Sequence, residues 1–519
     1  MKKTFNITGK CIPARHYMMD MSGKLQAVFQ MVEQGDYFTI NRPRQYGKTT
    51  MLFHLYDYLN RNAGFMAFNL SFEGIGDEIF LQESVFAPHF LKLLADEARF
   101  LKDQATEQFV RNLIPGTQSM AKLRDAISAI AAHLPQHLVL LIDEVDKSSN
   151  NQLFLSFLGM LRDKFLNRDR EGTFHAVVLA GVHDVRSLKL KLRPEETAKY
   201  NSPWNIAADF KVEMSFRPHE IAPMLEDYAQ AEGVAIDIPA FAEKLYYYTS
   251  GYPFLVSKLC KNLAEDILPQ KSEREWTFTD LEAAINLLLR ENNTNFDSLI
   301  KNLENNPDLY NLTYQIIVNG LVVPFNPDEP IAALGRLYGV FRQNGNLVVH
   351  NRIYAQRIYN YMIAKVFNEQ FSNSPIPSIY TLPDGSLDLK KVLIKFQEFI
   401  REQYSKKDES FLERQWRLLF LAFLKPIING NGYDFKEVQI SEERRLDVVI
   451  TYLQHRYVVE LKRWYGPQWH ERGLVQLADY LDHLHLDEGY LICFENLKGL
   501  SGQQEELEYR GKKLFVVWV

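Results

Sequence analysis

Tyr37-Phe-Thr-Ile-Asn-Arg-Pro-Arg-Gln-Tyr-Gly-Lys-Thr-Thr-Met-Leu52 reads as a short apolar strand, a tight loop and the start of a helix. That order is the context a phosphate-binding loop needs, because the first N–H groups of a helix have no intrahelical partner and the helix dipole favours an anion there. Gly47 permits close backbone approach, Lys48 would reach the β- and γ-phosphates of ATP, and the Thr49 hydroxyl would sit on Mg²⁺. The usual first glycine of such a loop is replaced by Arg42, and Pro43 after it has no N–H to donate. The donors that remain begin at Arg44, Gln45 and Tyr46 and run through Gly47, Lys48, Thr49 and Thr50.

A second stretch agrees with the first. Leu138-Val-Leu-Leu-Ile-Asp143-Glu144 is an apolar run ending in acids, as when a buried parallel strand delivers carboxylates to its C-terminal edge, where open α/β sheets bind ligands. Asp143 is expected to hold Mg²⁺ and Glu144 to polarise the attacking water. The strand beginning at Ala176 either presents a γ-phosphate sensor between Gly181 and Asp184 or is simply another core strand. Apolar runs at Tyr37–Ile40, Met66–Leu70, Leu138–Ile142 and His175–Ala180 alternate with helical patterns. The fold class expected is therefore α/β, a parallel sheet covered on both faces.

The 519 residues predict several domains at roughly 150 residues each, and 46% apolar with 24% charged residues exclude a disordered or fibrous chain. A formal charge of −6 gives no global basic field, so any nucleic-acid site has to be local. Three widely spaced cysteines, no secretory h-region and no apolar run long enough for a membrane span give the expectation of a cytoplasmic protein with no membrane partner. The expected boundaries are an N-terminal lead (1–35), the nucleotide-binding core (36–216), a helical lid (217–290), a winged-helix-like module (291–370), a proline-rich linker (371–388) and a C-terminal α/β domain (389–519).

With Tyr17-Met-Met-Asp20, Ser202-Pro-Trp-Asn-Ile206 and Gly251-Tyr-Pro253 added to the phosphate loop, the chain resembles AAA-like P-loop ATPases related to the STAND class over about residues 10 to 365. Arg42 is a familiar variant in such proteins. The resemblance implies that Tyr17 and Asp20 lie near the nucleotide base, that Pro253 of the lid packs near the nucleotide, and that Arg186 or Arg193 serves as the transition-state arginine. It also admits assembly into a homo-oligomer.

The C-terminal region carries a second chemistry. From Glu442 to Lys462, apolar and polar residues alternate on both sides of Gln454-His455, the pattern of a hairpin. With those two residues as the loop, Asp447 faces Lys462 and Val449 faces Glu460. Asp447, Glu460 and Lys462 then share a chemical face, while Val448, Ile450, Val459 and Leu461 form the core face. Two carboxylates and the Leu461 carbonyl are hard oxygen ligands suited to Mg²⁺ or Mn²⁺, and Lys462 would offset charge developing on a phosphate. The spacing resembles the PD-(D/E)XK nuclease superfamily over about residues 389 to 519. Glu413 in the preceding helix and Gln476 with Tyr480 on a later one match further motifs of that superfamily.

Together these readings predict an ATPase joined to a Mg²⁺-dependent nuclease acting on nucleic acid, most naturally DNA. By resemblance its setting is prokaryotic defence against phage or mobile elements. The competing expectation is a signalling or scaffold ATPase whose nuclease-like domain binds nucleic acid or a partner without cutting. The tyrosines at 246–248 and 352–361 are expected to pack between helices rather than stack on bases. His483 and His485, at i,i+2 on a helix, are not expected to hold a metal.

Overall fold

The computed structural model describes residues 2–145, 152–181, 206–317, 321–326, 328–370, 380–403, 419–425, 427–428, 432–435, 448–453, 455–463, 467–494 and 503–519. Arg186, Arg193, Glu413, Asp447 and residues 202–205 fall outside them. The chain divides into two compact units, one of residues 1–310 with 323–353, the other of residues 311–322 with 354–519.

In the first unit β1 (Tyr37–Asn41), β2 (Phe65–Ser71), β3 (His137–Asp143) and β4 (Ala176–Gly181) form an all-parallel sheet in the order β1-β4-β3-β2. Parallel strands buried on both faces should be apolar throughout, and β3 and β4 are buried from Leu138 to Asp143 and from Ala176 to Gly181. One face packs under Phe86, Phe90, Leu94, Ile127, Ile130, Phe157 and Leu161 from three helices. The helices Ser22–Glu33 and Lys48–Arg61 cover the other. Beyond β1, among the described residues, the pairing continues as an isolated parallel bridge, Phe38 to Ala208, in which the Ala208 N–H donates to the Tyr37 carbonyl at 2.8 Å. Because β4 separates β1 from β3, Lys48 and Asp143 reach the same edge of the sheet from non-adjacent strands.

The stretch expected to form a lid is helical, with Pro218–Glu232, Ile238–Thr249, Pro253–Asn262 and Phe278–Arg290. Three of these begin where sequence rules put a start: Pro218 and Pro253 at the first helical position, and Thr277 closing a capping box with Asp280. Farther along come the helix Pro330–Leu337 and an antiparallel sheet of β5 (Val323–Pro324), β6 (Phe341–Asn344) and β7 (Asn346–Val349), in the order β5-β7-β6.

The second unit contains a six-stranded mixed sheet of β8 (Gly432–Phe435), β9 (Val448–Tyr452), β10 (His455–Arg463), β11 (Glu488–Phe494), β12 (Gln504–Tyr509) and β13 (Lys512–Trp518), ordered β12-β13-β11-β10-β9-β8. The helix Pro467–Leu484 lies on one face, with Leu474, Leu477 and Leu481 against Val449, Val458, Leu491 and Val516. The helix Leu389–Gln403 serves the other, where Phe396 meets Phe494.

One expectation for this unit needs correction. The hairpin pairs Tyr452 with His455 and Val448 with Val459, so His455 belongs to the strand and not to the loop, and the pairing of Val449 with Glu460 is replaced by Val449 with Val458. Leu453, at φ 52°, takes the left-handed conformation that a tight hairpin loop demands. A slip of two preserves the side-chain alternation, so Glu460 and Lys462 still share a face. On that same face Val449 and Val458 are buried under the helix Pro467–Leu484. Of the expected linker, 371–388, residues 380–388 are described. Residues 380–388 form a turn at Gly385 (φ 84°) in which Leu387 donates its N–H to the Tyr457 hydroxyl at 2.9 Å.

Candidate functional site

Gly47 adopts φ 83° and caps the helix Lys48–Arg61, a conformation that glycine reaches without steric cost. Its chain turn leaves the helix N-terminus open to a cavity of about 750 Å³ bordered by the residues from Arg44 to Thr50, by Asp143 and Glu144, and by Tyr17 and Pro253. The Lys48 ammonium is turned into the loop and donates to the carbonyls of Arg42 (2.8 Å) and Pro43 (2.9 Å). Thr49 Oγ1 donates to Asp143 Oδ2 at 2.7 Å, so the hydroxyl and the carboxylate expected to share a cation stand side by side across β4. Both are hard oxygen donors, and that pair fits Mg²⁺. Asp143 Oδ1 accepts the Glu144 N–H at 2.9 Å. Glu144 itself sits at φ 56°, a left-handed backbone uncommon for a glutamate and of the kind that clusters at functional sites.

The N-terminal lead forms a wall of this cavity, which includes Tyr17, Met18, Met19 and Met21 but not Asp20. The Cys11 N–H donates to Thr50 Oγ1 at 3.1 Å and fastens the lead to the phosphate-loop helix. Tyr17 is buried, edge-on to Tyr228, with its hydroxyl toward Glu232; burial and that carboxylate push it up to about 12. Asp20 accepts the Ser22 N–H at 2.9 Å, which holds its carboxyl below the usual range, and its own N–H donates to Glu220. Gln45, at φ 56°, donates to the Thr294 hydroxyl at 3.3 Å.

A family model described as AAA-like domain matches residues 12–356, more than half of the chain. The chain belongs to the AAA-like domain family. It is an ATPase of the AAA-like P-loop type, and that fold implies nucleotide binding, ordinarily with Mg²⁺. None of the curated proteins matches it. Among solved structures, it is similar to the Walker-type ATPase of Pyrococcus abyssi at 11% identity, with 68% of this chain and 99% of that one covered and a TM-score of 0.47. The ORC2 protein of Aeropyrum pernix in its ADPNP–ADP complexes gives 12% identity, coverages of 67% and 94% and a TM-score of 0.37. The Holliday junction branch migration motor RuvB of Thermotoga maritima gives 16%, 63% and 91%, with a TM-score of 0.33.

Within the AAA-like unit, Pro253 lies under the phosphate loop, its Cγ 3.9 Å from where a Cβ on Gly47 would stand. The Tyr252 hydroxyl donates to the Arg44 carbonyl at 2.5 Å. Tyr46 turns its ring away from the loop, edge-on to Tyr252 at 4.7 Å, and pairs its hydroxyl with His350 Nε2 at 3.1 Å. Burial, with Arg342 nearby, lowers His350 to about 4, and burial raises the Tyr46 phenol, so both are neutral at pH 7. Sequence reasoning did not reach His350. Its signal is only a lone histidine between an apolar strand and a helix, which carries no partner information. At the close approach of Gly339 to Pro43, a Cβ on Gly339 would lie 2.8 Å from the proline ring.

In the second unit Glu460 is fully buried, and its Oε1 meets the Lys462 ammonium at 2.8 Å. Both lie on β10, in the register Glu460 to Leu491 and Lys462 to Cys493 with β11. Gly473 of the helix Pro467–Leu484 abuts the stem of Lys462, a Cβ there standing 3.4 Å from Lys462 Cγ. Gln476 and Tyr480 continue that helix stripe at spacings of three and four, with Tyr480 buried against the sheet. Leu461 is buried on the opposite face. Among the described residues no group of three His, Cys, Asp or Glu side chains is placed to hold a metal, and no helix among them is long and apolar enough to cross a membrane. His483 and His485 are exposed, and Tyr247 is half exposed with the Arg352 guanidinium 3.8 Å over its ring.

Proposed function

We propose that the chain is a nucleotide-controlled nuclease: an ATPase core, helical lid and winged-helix module (36–370) govern a Mg²⁺- or Mn²⁺-dependent PD-(D/E)XK domain (389–519) that hydrolyses phosphodiester bonds of DNA. The observation that carries the cutting half is Glu460, buried in a central strand, ion-paired to Lys462 and lying beneath the helix that bears Gln476 and Tyr480. A carboxylate is rarely buried without a compensating partner or a cation to hold. Asp447, Glu460 and the Leu461 carbonyl are assigned to the metal, which would supply a Lewis acid and a water of lowered pKa. Lys462 orients that water and offsets charge on the phosphate, while Gln476, Tyr480 and Glu413 position the strand.

In the ATPase half, Arg44, Gln45, Tyr46 and Gly47 offer backbone N–H groups to the phosphates and Lys48 its ammonium. Thr49 and Asp143 hold Mg²⁺, Thr50 closes the helix start, and Glu144 orients water. Tyr17 and Asp20 flank the base, and Pro253 closes from the lid. Arg186 or Arg193 supplies the transition-state arginine. A homo-oligomeric assembly and a role in prokaryotic defence complete the reading. The test is Glu460→Gln in the purified full chain. Mg²⁺-dependent cleavage of plasmid or linear DNA should disappear while ATP turnover persists. Cleavage at the wild-type rate refutes the nuclease assignment, and an absence of cleavage in the wild type with DNA binding intact identifies a binding-only domain.

A further inference from the structure

Arg42 stands where such a loop ordinarily has its first glycine, and its side chain does not line the cavity. It is instead an anchor. One guanidinium nitrogen donates to the Asn41 carbonyl at 2.9 Å, another to the Val212 carbonyl at 2.9 Å, and the plane lies over the Phe210 ring at 5.1 Å. Its N–H donates to Gly181 at the end of β4, and its carbonyl receives the Lys48 ammonium.

The segment it grips, 207–217, runs from the bridge at Ala208 to the first lid helix. Along that segment the Phe216 N–H donates to the Gly251 carbonyl at 2.9 Å, and Gly251 packs so tightly on Phe216 that a Cβ would lie 2.7 Å from its backbone N and C. Gly251 leads directly into Tyr252, bonded to the Arg44 carbonyl, and Pro253, packed under Gly47. The contacts therefore close a ring: phosphate loop, Arg42, segment 207–217, Gly251-Tyr252-Pro253, and back to the phosphate loop.

We infer that Arg42 is a positioning residue for ATP turnover, holding segment 207–217, and through it Gly251-Tyr252-Pro253, in a fixed relation to the phosphate loop. A ligand that draws Lys48 off the Arg42 carbonyl changes the load on the same residue whose side chain holds the lid, so occupancy and lid position are coupled through one amino acid. A glycine there would leave a conventional loop with no grip on the lid.

The experiment is steady-state ATPase kinetics on the full chain carrying Arg42→Gly, Arg42→Lys, Tyr252→Phe and the Arg42→Gly/Tyr252→Phe pair. Arg42→Gly is expected to lower kcat about tenfold while KM for ATP moves less than about twofold, since the side chain lies outside the cavity. Arg42→Lys falls between wild type and glycine, because an ammonium lacks the planar fork that reaches two carbonyls at once. In the double variant the loss should not exceed that of the worse single variant, the mark of two residues in one unit. An unchanged kcat in Arg42→Gly, a loss confined to KM, or losses that multiply in the double variant each overturn the inference. Where Arg42→Gly does not fold, Arg42→Lys paired with Tyr252→Phe decides by the same non-additivity.

Discussion

Replacing Gly251 by alanine separates two costs that are usually confounded. Gly251 sits at φ 71°, where a Cβ meets the following carbonyl, a penalty of roughly 1–2 kcal/mol. The same Cβ would stand 2.7 Å from Phe216 N and C and nearer still to Phe216 O, closer than packed atoms tolerate, and forcing such a contact adds roughly 1–3 kcal/mol. Gly251→Ala should therefore cost about 3 kcal/mol, or about 6 °C in the unfolding midpoint of the first unit at the lower end of the usual conversion. Gly233 is the control. Its φ is 63°, with nothing within 4 Å of an added Cβ, so Gly233→Ala should show the conformational term alone, about 1 kcal/mol. Scanning calorimetry of both variants, with and without ATP, reads the difference. Because relief of the clash has to move Tyr252 and Pro253 away from Arg44 and Gly47, ATP turnover should fall in Gly251→Ala and stay near wild type in Gly233→Ala. Equal destabilisation of the two variants, or full turnover in Gly251→Ala, would refute the close-packing argument.

Removing the Thr49 hydroxyl (Thr49→Ala) or the Asp143 charge (Asp143→Asn) takes away one half of a hydrogen-bonded pair, and ATP turnover in either should fall by about two orders of magnitude, measured by phosphate release. His350 ionises in the unfolded chain near 6.5 but only near 4 when folded. The unfolded state thus binds the extra proton between those values, and stability falls as pH drops from about 6.5 to about 4, by at most about 3 kcal/mol. His350→Gln should flatten that slope in urea titrations, and an unaltered slope would count against the buried neutral histidine. In the second unit, Lys462→Met leaves the buried Glu460 carboxylate without its ammonium and should cost roughly 3 kcal/mol or more, whereas Lys462→Met with Glu460→Gln recovers most of it. Cleavage should be lost in both, and recovery of stability together with cleavage would argue that the pair is structural only.

Much of the first unit was legible because its signals are local. An apolar run ending in Asp143 reads as a buried strand with a carboxylate at its edge, which β3 is, and Gly47-Lys48-Thr49 between a strand and a helix points to the expected phosphate loop. Strand order and partners across the fold were not legible. Nothing near Arg42 in sequence announces Val212 or Phe210, and nothing near Tyr46 announces His350, because those contacts are set by packing between elements far apart in the chain, 170 residues for Arg42 and Val212 and 304 for Tyr46 and His350. The hairpin at 448–463 marks a different boundary. Alternation fixed which residues share a face, since a slip of two leaves the faces unchanged, but alternation alone cannot choose between two loops of equal length shifted by one residue. The position of Leu453 in the left-handed region decided it, and that preference is weak for a leucine. The burial of Glu460 was not legible, because the helix that covers it begins only after it in the chain.

Among the described residues, the sheet of the first unit is met beyond β1 by a backbone tie at Ala208. Residues 207–217 are also tied by the Arg42 guanidinium on the Val212 carbonyl and by the Phe216 N–H on the Gly251 carbonyl, scattered contacts beside the continuous ladders that join the interior strands. A segment held at scattered points yields at lower cost than a strand held by a full ladder, so the four strands beside Lys48 and Asp143 are the stiffer part of the unit.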